Sequence, residues 1–486
     1  MTSKLAFLPS GVLGRFWALD TDIRPTAPLD EAEAVSGHLQ LVGGVVQVKT
    51  QRPAGRTLAD LHSLFNGLAE GADPTPRWLF GITEVGSVVV PVVTGEGLTQ
   101  SLGGSQISTR TYRGPTIAVG VGSASGPRVT RLTVDLPFAA WAGFEPMTRR
   151  IHLDHEQRWD ALDINLRGTE EQPCGRVGPI AVALRGGWAQ TEDDQDHLTS
   201  VSTALQVITT SKRPTEHTHH VDVAMAVQDL LSLAYGRFLP SPRARIVLEG
   251  AESERTAASF YHRGLVEPAV LSPDRTGNRQ QDKTPLFSLA DLGGPTAVAR
   301  WVTLDRRYPD AANAVRVRDR TPTTNPTRRV IELGAAIEQY VATVIDGARR
   351  ARRPVPRWTE TPPYEAALAL NAGASFAAYV GDPQAWAEMF HSAYLGEKHH
   401  RGTRLPANEL VMLSSSAQLL LIATLLNGAG RSHRASAAML DDYRLAGLGE
   451  AVRRLVVQAT PSQPPRRRRG RAAPASPRAS SVAGAT

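Results

Sequence analysis

The sequence predicts an α+β protein with a large β-rich N-terminal region and an all-helical C-terminal bundle. Two patterns carry that prediction. Through the first 150 residues apolar side chains recur in period 2 between glycines, as in short antiparallel strands with one buried face. From residue 326 onward the apolar spacing changes to three and four, the period of amphipathic helices. The glycine-rich stretches "SGVLGR", "LVGGVV" and "GVGSASG" lack the GK[ST] ending of a phosphate loop, which sets ordinary nucleotide-hydrolysing folds aside.

Taken in order, "HLQLVGGVVQVKT" places Leu39 and Leu41 on one face, continues with Val46 and Val48, and supplies Gly43-Gly44 for a two-residue hairpin. "RWLFGITEVGSVVVPVV" repeats the arrangement around Gly86, and "TIAVGVG" and "RVTRLTVDLPF" read as two further strands. Residues 151–325 are mixed. "WDALDINLRG", "GPIAVALRGGWA", "STALQVITTS" and "ARIVLEG" read as strands, whereas "VDVAMAVQDLLSLAYGRF" puts Val223, Val227, Leu230, Leu231 and Ala234 on one helical stripe. "PDRTGNRQQDKTP" is polar and aperiodic, as a surface loop is.

Beyond 326 the expected helices cover 327–349, 363–379, 383–395, 407–427 and 434–458, with Pro363, Pro383 and Pro406 in first turns and Gly428 and Gly430 as a stop. Four segments result: 1–150 and 151–325, together the β-rich region, then a helical domain at 326–458, and an Arg-, Pro- and Ala-rich tail at 459–486 that cannot bury a core.

Composition narrows the classes. The chain has 486 residues and a net charge of +7, but the last 26 residues hold six arginines and no acid. The rest is close to neutral and makes no global argument for nucleic-acid binding. A single cysteine, Cys174, excludes an intrachain disulfide and fits a cytoplasmic location. The apolar run "LVMLSSSAQLLLIATLL" is shorter than a bilayer span and is interrupted by Ser414 to Ser416 and Gln418, so a buried helix is expected and no membrane partner.

The serial order of these features resembles the ApeA-like bacterial anti-phage proteins, which join a β-rich N-terminal region to a C-terminal HEPN helical domain. The stretches that carry the resemblance are "GHLQLVGGVVQVKT", "LFGITEVGSVVVPVV", "RLTVDLPFAAWAGF" and "VAMAVQDLLSLAYGRFLPSPRARIVLEG" in the first part. In the second part, "RRVIELGAAIEQYVATVI" is similar to the first HEPN helix and "ANELVMLSSSAQLLLIATLLNGAG" to the last long one. The resemblance implies an HEPN-like bundle and an endoribonuclease acting on tRNA or other cellular RNA as a homo-oligomer. It implies no metal and no cofactor, and a β-rich sensor released by a phage-derived trigger protein. The alternative is a non-catalytic sensor or scaffold with a degenerate HEPN domain.

HEPN ribonucleases pair an arginine with a histidine separated from it by four to six residues. Histidine handles the 2′-hydroxyl proton near neutral pH, and arginine holds the phosphorane. Here the corresponding stretch reads "FHSAYLGEKHHRG": His391 and Ser392 stand at the Arg-Asn positions, and His399 follows seven intervening residues later. The Arg-x4–6-His pairing does not occur in the C-terminal helices. Three readings of this stretch, expected as a helix-connecting loop, stay open. As a substituted nuclease centre, His391 or His399 is base or acid, Glu397 orients an imidazole, and His400, Arg401 and Arg404 hold RNA. As an interaction surface, the same residues bind RNA, nucleotide or a partner chain; otherwise the loop is merely solvated.

Three further clusters are notable. "RRARRPVPR" offers Arg349, Arg350, Arg352 and Arg353 as an RNA-backbone edge, beyond what a helix C-terminus needs. "TEHTHHVDV" suggests a strand or turn with His217 and His219 on one face and His220 on the other, a weak metal signal outweighed by a solvated turn. "TEDDQDH" lacks the spacing and glycine of a calcium loop.

Overall fold

The computed structural model describes residues 5, 8–19, 29–53, 75–102, 105–121, 128–193, 198–241, 243–250, 257–266, 284–320, 325–356, 364–400 and 405–459. The first strands are β1 (Val12–Leu19), β2 (Val35–Val42), β3 (Val45–Pro53), β4 (Trp78–Thr83), β5 (Gly86–Pro91), β6 (Thr94–Leu102), β7 (Ser105–Gly114), β8 (Thr116–Val119) and β9 (Arg128–Leu136). They are followed by β10 (Met147–Leu153), β11 (Trp159–Leu166), β12 (Gln172–Val177), β13 (Ile180–Asp193), β14 (Leu198–Glu216), β15 (Arg243–Leu248) and β16 (Ala258–His262). Fourteen of these form one antiparallel sheet in the order β12-β13-β14-β9-β15-β16-β8-β5-β4-β1-β2-β3-β7-β6, and β10 with β11 makes a separate ribbon. The β2–β3 hairpin turns through Gly43 and Gly44, whose φ values of 54° and 73° are those a type I′ turn requires.

Period-2 alternation divides the strands between two cores. Phe16, Leu79, Val88, Val90, Ile117 and Val119 point into a core belonging to the N-terminal strands, together with Leu39, Val46 and Val48. Their neighbours Trp17, Trp78, Phe80, Val89 and Ala118 point the other way, into a core shared with the helices. The middles of these strands are therefore buried on both faces, while Leu13 of β1 and Ile82 of β4 stay exposed, and each large apolar side chain so buried contributes about 1.5–3 kcal/mol. Across the first core Tyr261 Oη of β16 donates to Gly44 O of the β2–β3 turn at 3.0 Å. Phe16 lies over Gly81, where a Cβ would stand 2.6 Å from the ring, so the glycine makes room for the aromatic.

The helices are α1 (His217–Tyr235), α2 (Arg263–Val266), α3 (Pro295–Arg307), α4 (Pro309–Arg320), α5 (Pro326–Arg350), α6 (Tyr364–Asn371) and α7 (Ala374–Val380). Then come α8 (Pro383–His399), α9 (Ala407–Gly430), α10 (Arg434–Leu440) and α11 (Tyr443–Ala459). Helix α1 is buried nearly all round, as its apolar composition demands. It lies between strands β9 and β14 and helix α3, and Trp301 Nε1 of α3 donates to Ala226 O at 2.9 Å. Arg316 of α4 binds Asp229 of α1 at 3.3 Å and Asp305 of α3 at 2.9 Å, an ion cluster that ties α1 to the helical layer.

Helix α9 is the central post of that layer, in contact with α3, α5, α10 and α11. It is long and apolar enough to cross a bilayer, but 72% of its apolar window is buried inside the fold. The polar residues that interrupt its apolar run join neighbouring helices: Gln418 Nε2 donates to Val315 O at 2.8 Å, and Ser416 Oγ accepts from Trp386 Nε1 at 2.9 Å.

Several local expectations need correction. The helix expected over 363–379 is two, separated at Gly373 (φ 104°), and that over 434–458 is two, α10 and α11. Pro406 caps α9 from outside rather than sitting in its first turn, and Gly428 and Gly430 do not stop the helix short of Arg431, whose φ of 54° ends it. The segment "TEHTHHV" holds neither a free turn nor strand histidines, because β14 runs to Glu216 and α1 begins at His217. The stretch after 395 is helical through His399, since Glu397 and Lys398 are good helix formers and the stop comes from His400 in the left-handed region, φ 52°.

Candidate functional site

Helix α8 places the histidines of the sequence-predicted site. Asp382 caps it by accepting from Gln384 N and Ala385 N at 3.0 and 3.1 Å, and Pro383 opens the first turn. Trp386, Phe390 and Tyr394 bury one stripe, with Trp386 and Phe390 stacked at 5.7 Å. His391 flanks that stripe and is partly exposed.

His391 Nδ1 is 3.2 Å from Glu365 Oε1, a carboxylate on the neighbouring helix α6 whose side chain is only 2% exposed. The first turn of α6 holds Glu365, where the helix dipole favours a negative charge. Glu365 Oε2 is buried with no hydrogen-bond partner among the described residues. A buried orphan oxygen is uncommon and calls for an occupant or a function.

One and two turns further along the same face stand Tyr394 and Lys398. The Tyr394 and His391 ring centroids are 6.4 Å apart. Tyr394 Oη donates to Glu338 Oε2 of α5 at 2.9 Å and accepts from Lys398 Nζ at 2.6 Å, while Lys398 and Glu338 pair at 3.5 Å. Burial pushes the Tyr394 phenol above its ordinary range, so it stays a donor. The Tyr394 hydroxyl in turn raises the Lys398 ammonium, which stays charged. Close approach of α5 makes this possible: a Cβ on Gly334 would stand 2.4 Å from the Tyr394 ring.

The arrangement thus offers an imidazole with Nδ1 oriented by a buried carboxylate, a fixed ammonium and a phenol on one helical face. It differs from the expected grouping of His391, Glu397 and His399. Glu397 is buried and lies about 120° round α8 from His391, and exposed His399 is about 12 Å farther along the axis. Neither converges on His391, whose carboxylate is Glu365. His400 is exposed at the helix end, and Arg401 and Arg404 lie outside the described residues.

Arg349, Arg350, Arg352 and Arg353 are exposed at the C-terminal end of α5, closed by Arg353 N donating to Ala348 O at 2.9 Å. Arg349 stands 4.0 Å from Asp346. This end is about 16 Å along the axis from Glu338, so it is a separate place from the His391 cluster.

Other candidates resolve structurally. His220 is wholly buried, its Nδ1 2.9 Å from Thr209 Oγ1 and its Nε2 3.3 Å from Ser211 Oγ, and burial pushes its imidazole down to about 4. It fastens α1 to β14, and His219 is exposed, so the three histidines do not gather as ligands. Among the described residues no group of three His, Cys, Asp or Glu is placed to hold a metal. Burial pushes the Cys174 thiol up to about 12, leaving it a poor nucleophile. Half of "TEDDQDH", most of "PDRTGNRQQDKTP" and the tail beyond Ala459 lie outside the described residues.

Sequence reasoning missed Glu365, Tyr394, Lys398 and Glu338. The spacing of His391, Tyr394 and Lys398 by three and four was available as a one-face signal once the segment is helical. Glu365 and Glu338 come from other helices, and nothing local marks them.

Compared with protein-family models, curated proteins and solved structures, the chain finds no match.

Proposed function

We propose that this chain is an anti-phage, abortive-infection protein of the ApeA-like kind, with an HEPN-like helical layer that cleaves cellular RNA without a metal and acts as a homo-oligomer. The observation that carries the reading is the His391–Glu365 pair, with Lys398 two turns along the same face of α8. With Nδ1–H donated to Glu365, Nε2 keeps its lone pair for a proton. In the proposed step Nε2 takes the 2′-hydroxyl proton and the 2′-oxygen bonds to phosphorus. The P–O5′ bond then breaks and the departing oxygen takes a proton from solvent. Lys398 offsets the charge on the phosphorane. The β-rich region, packed on the helical layer through α1, is the sensor, and a phage protein is its trigger.

Incubating the protein with tRNA and total RNA, with and without EDTA, tests this. EDTA-resistant cleavage that His391→Ala abolishes is the expected result. RNA left intact by the wild-type chain in the presence of its trigger refutes the cleavage reading.

A second reading, a non-catalytic sensor or scaffold, draws on one observation: Lys398 is already held by Tyr394 and Glu338. Under it the cluster fixes α5 to α8, and His391→Ala lowers stability while RNA is never cut.

A further inference from the structure

The C-terminal ends of α3 and α5 meet at one corner. Arg306 and Arg307 occupy the last turn of α3, Arg349 and Arg350 the last turn of α5, with Arg352 and Arg353 directly after. Arg307 crosses between them. Its Nη2 stands 2.5 Å from where a Cβ on Gly347 would be, and its Cζ lies 5.3 Å from the ring centroid of Tyr308. Tyr308 in turn meets Tyr340 of α5 at 4.5 Å and 39°. Both tyrosines, with Asp310, Gln339 and Thr343, edge an open cleft of about 40 Å3.

Helix dipoles explain one or two cations at each end. They do not explain six guanidiniums at one corner. Among the described residues Arg306, Arg307, Arg350, Arg352 and Arg353 enter no ion pair, and the exposed acids beside them are Asp310 and Asp346. Asp305 is engaged by Arg316.

We propose that this corner docks single-stranded RNA, which α5 then leads to the His391 cluster. The proposal rests on RNA being the ligand of that cluster. Guanidinium forks match phosphate oxygens bidentately, and six of them on two helices cannot converge on one phosphate, so a chain of phosphates is the fitting partner. Tyr340 is partly exposed at the edge of the cleft, above buried Tyr308, and offers its ring to an unstacked base, which a single strand supplies and a duplex withholds. Arg350 lies about 18 Å along α5 from Glu338, a span that a few nucleotides of single strand cover.

The test is fluorescence anisotropy of labelled RNA with the full chain at 150 mM salt, as roughly physiological. Arg466, Arg467, Arg468 and Arg469 are replaced by alanine throughout, so that the tail adds nothing. An unstructured twelve-nucleotide RNA is compared with a trinucleotide and with a duplex of the same sequence, each about one order of magnitude weaker if the corner reads a single strand. Arg350→Glu with Arg353→Glu weakens the twelve-nucleotide RNA by about tenfold or more and lowers the salt slope by about two, with Arg350→Ala and Arg353→Ala giving a smaller loss of the same sign. Unchanged affinity in both double variants overturns the proposal. So does equal binding of the duplex, or displacement of RNA by polyglutamate at equal charge, which marks an acidic protein partner instead. RNA bound through the corner but never cut refutes the cleavage reading alone. Cleavage with arginine-independent binding refutes the corner alone.

Discussion

Nδ1 of His391 lies 3.2 Å from Oε1 of Glu365, and the other oxygen of that carboxylate is buried without a hydrogen-bond partner among the described residues. The pair joins two helices that are separate in sequence and fixes the orientation of the only imidazole on the α8 face that also bears Tyr394 and Lys398. Glu365→Gln preserves the shape and removes the charge. Cleavage is expected to fall about a hundredfold in kcat, within the usual range for acid–base groups, with KM little changed. A kcat unaffected by the substitution, at unchanged melting temperature, would show that Glu365 is structural.

Lys398 is tethered to Tyr394 and Glu338. Lys398→Met removes the ammonium while keeping the stem, so cleavage drops about tenfold or more. Glu338→Gln has the opposite sign for binding: without its counter-charge Lys398 holds phosphate better, and RNA affinity rises a few-fold in the same anisotropy measurement.

Arg316 stands between Asp229, 4% exposed, and Asp305, 13% exposed. Arg316→Met removes the cation that Asp229 and Asp305 share, and a loss of about 3–5 kcal/mol in denaturant unfolding at pH 7 is expected. Burial already holds the Asp305 carboxyl above the usual carboxylate range. The penalty therefore shrinks as pH falls and Asp305 takes a proton.

His220 carries a pH dependence of its own. Its folded-state pKa of about 4 lies below the ordinary 6.5, so the unfolded chain binds the extra proton between those values. Stability from this group is complete above pH 6.5 and is lost as pH falls toward 4, by roughly 3 kcal/mol in all. In urea titrations His220→Gln starts less stable at pH 7 and shows a flatter decline over that window. An equal decline in both proteins would place the acid sensitivity elsewhere.

Much of the fold was legible because its signals are local. Gly43-Gly44 between alternating apolar residues specifies a hairpin wherever it occurs, and Val330, Leu333, Ile337 and Val341 specify a helix. The join of β14 to α1 was not legible, because His217 to His220 are polar in sequence and His220 becomes apolar in role only by burial against Thr209 and Ser211. The site was half legible. Its histidine could be picked out, but the carboxylate beside it arrives from α6 through tertiary packing, and the nearer Glu397 lies inside. Polar clustering in a short stretch favoured a loop, while the 3-and-4 spacing of His391, Tyr394 and Lys398 belonged to a helix.

The most direct measurement is the chemistry of the cut ends. RNA treated with wild-type protein in EDTA, analysed by mass spectrometry, is expected to carry 2′,3′-cyclic phosphate and 5′-hydroxyl ends that His391→Gln and Glu365→Gln reduce together. Ends with 5′-phosphate, or cleavage that survives both substitutions, would contradict the assignment of His391 and Glu365 as the site of reaction.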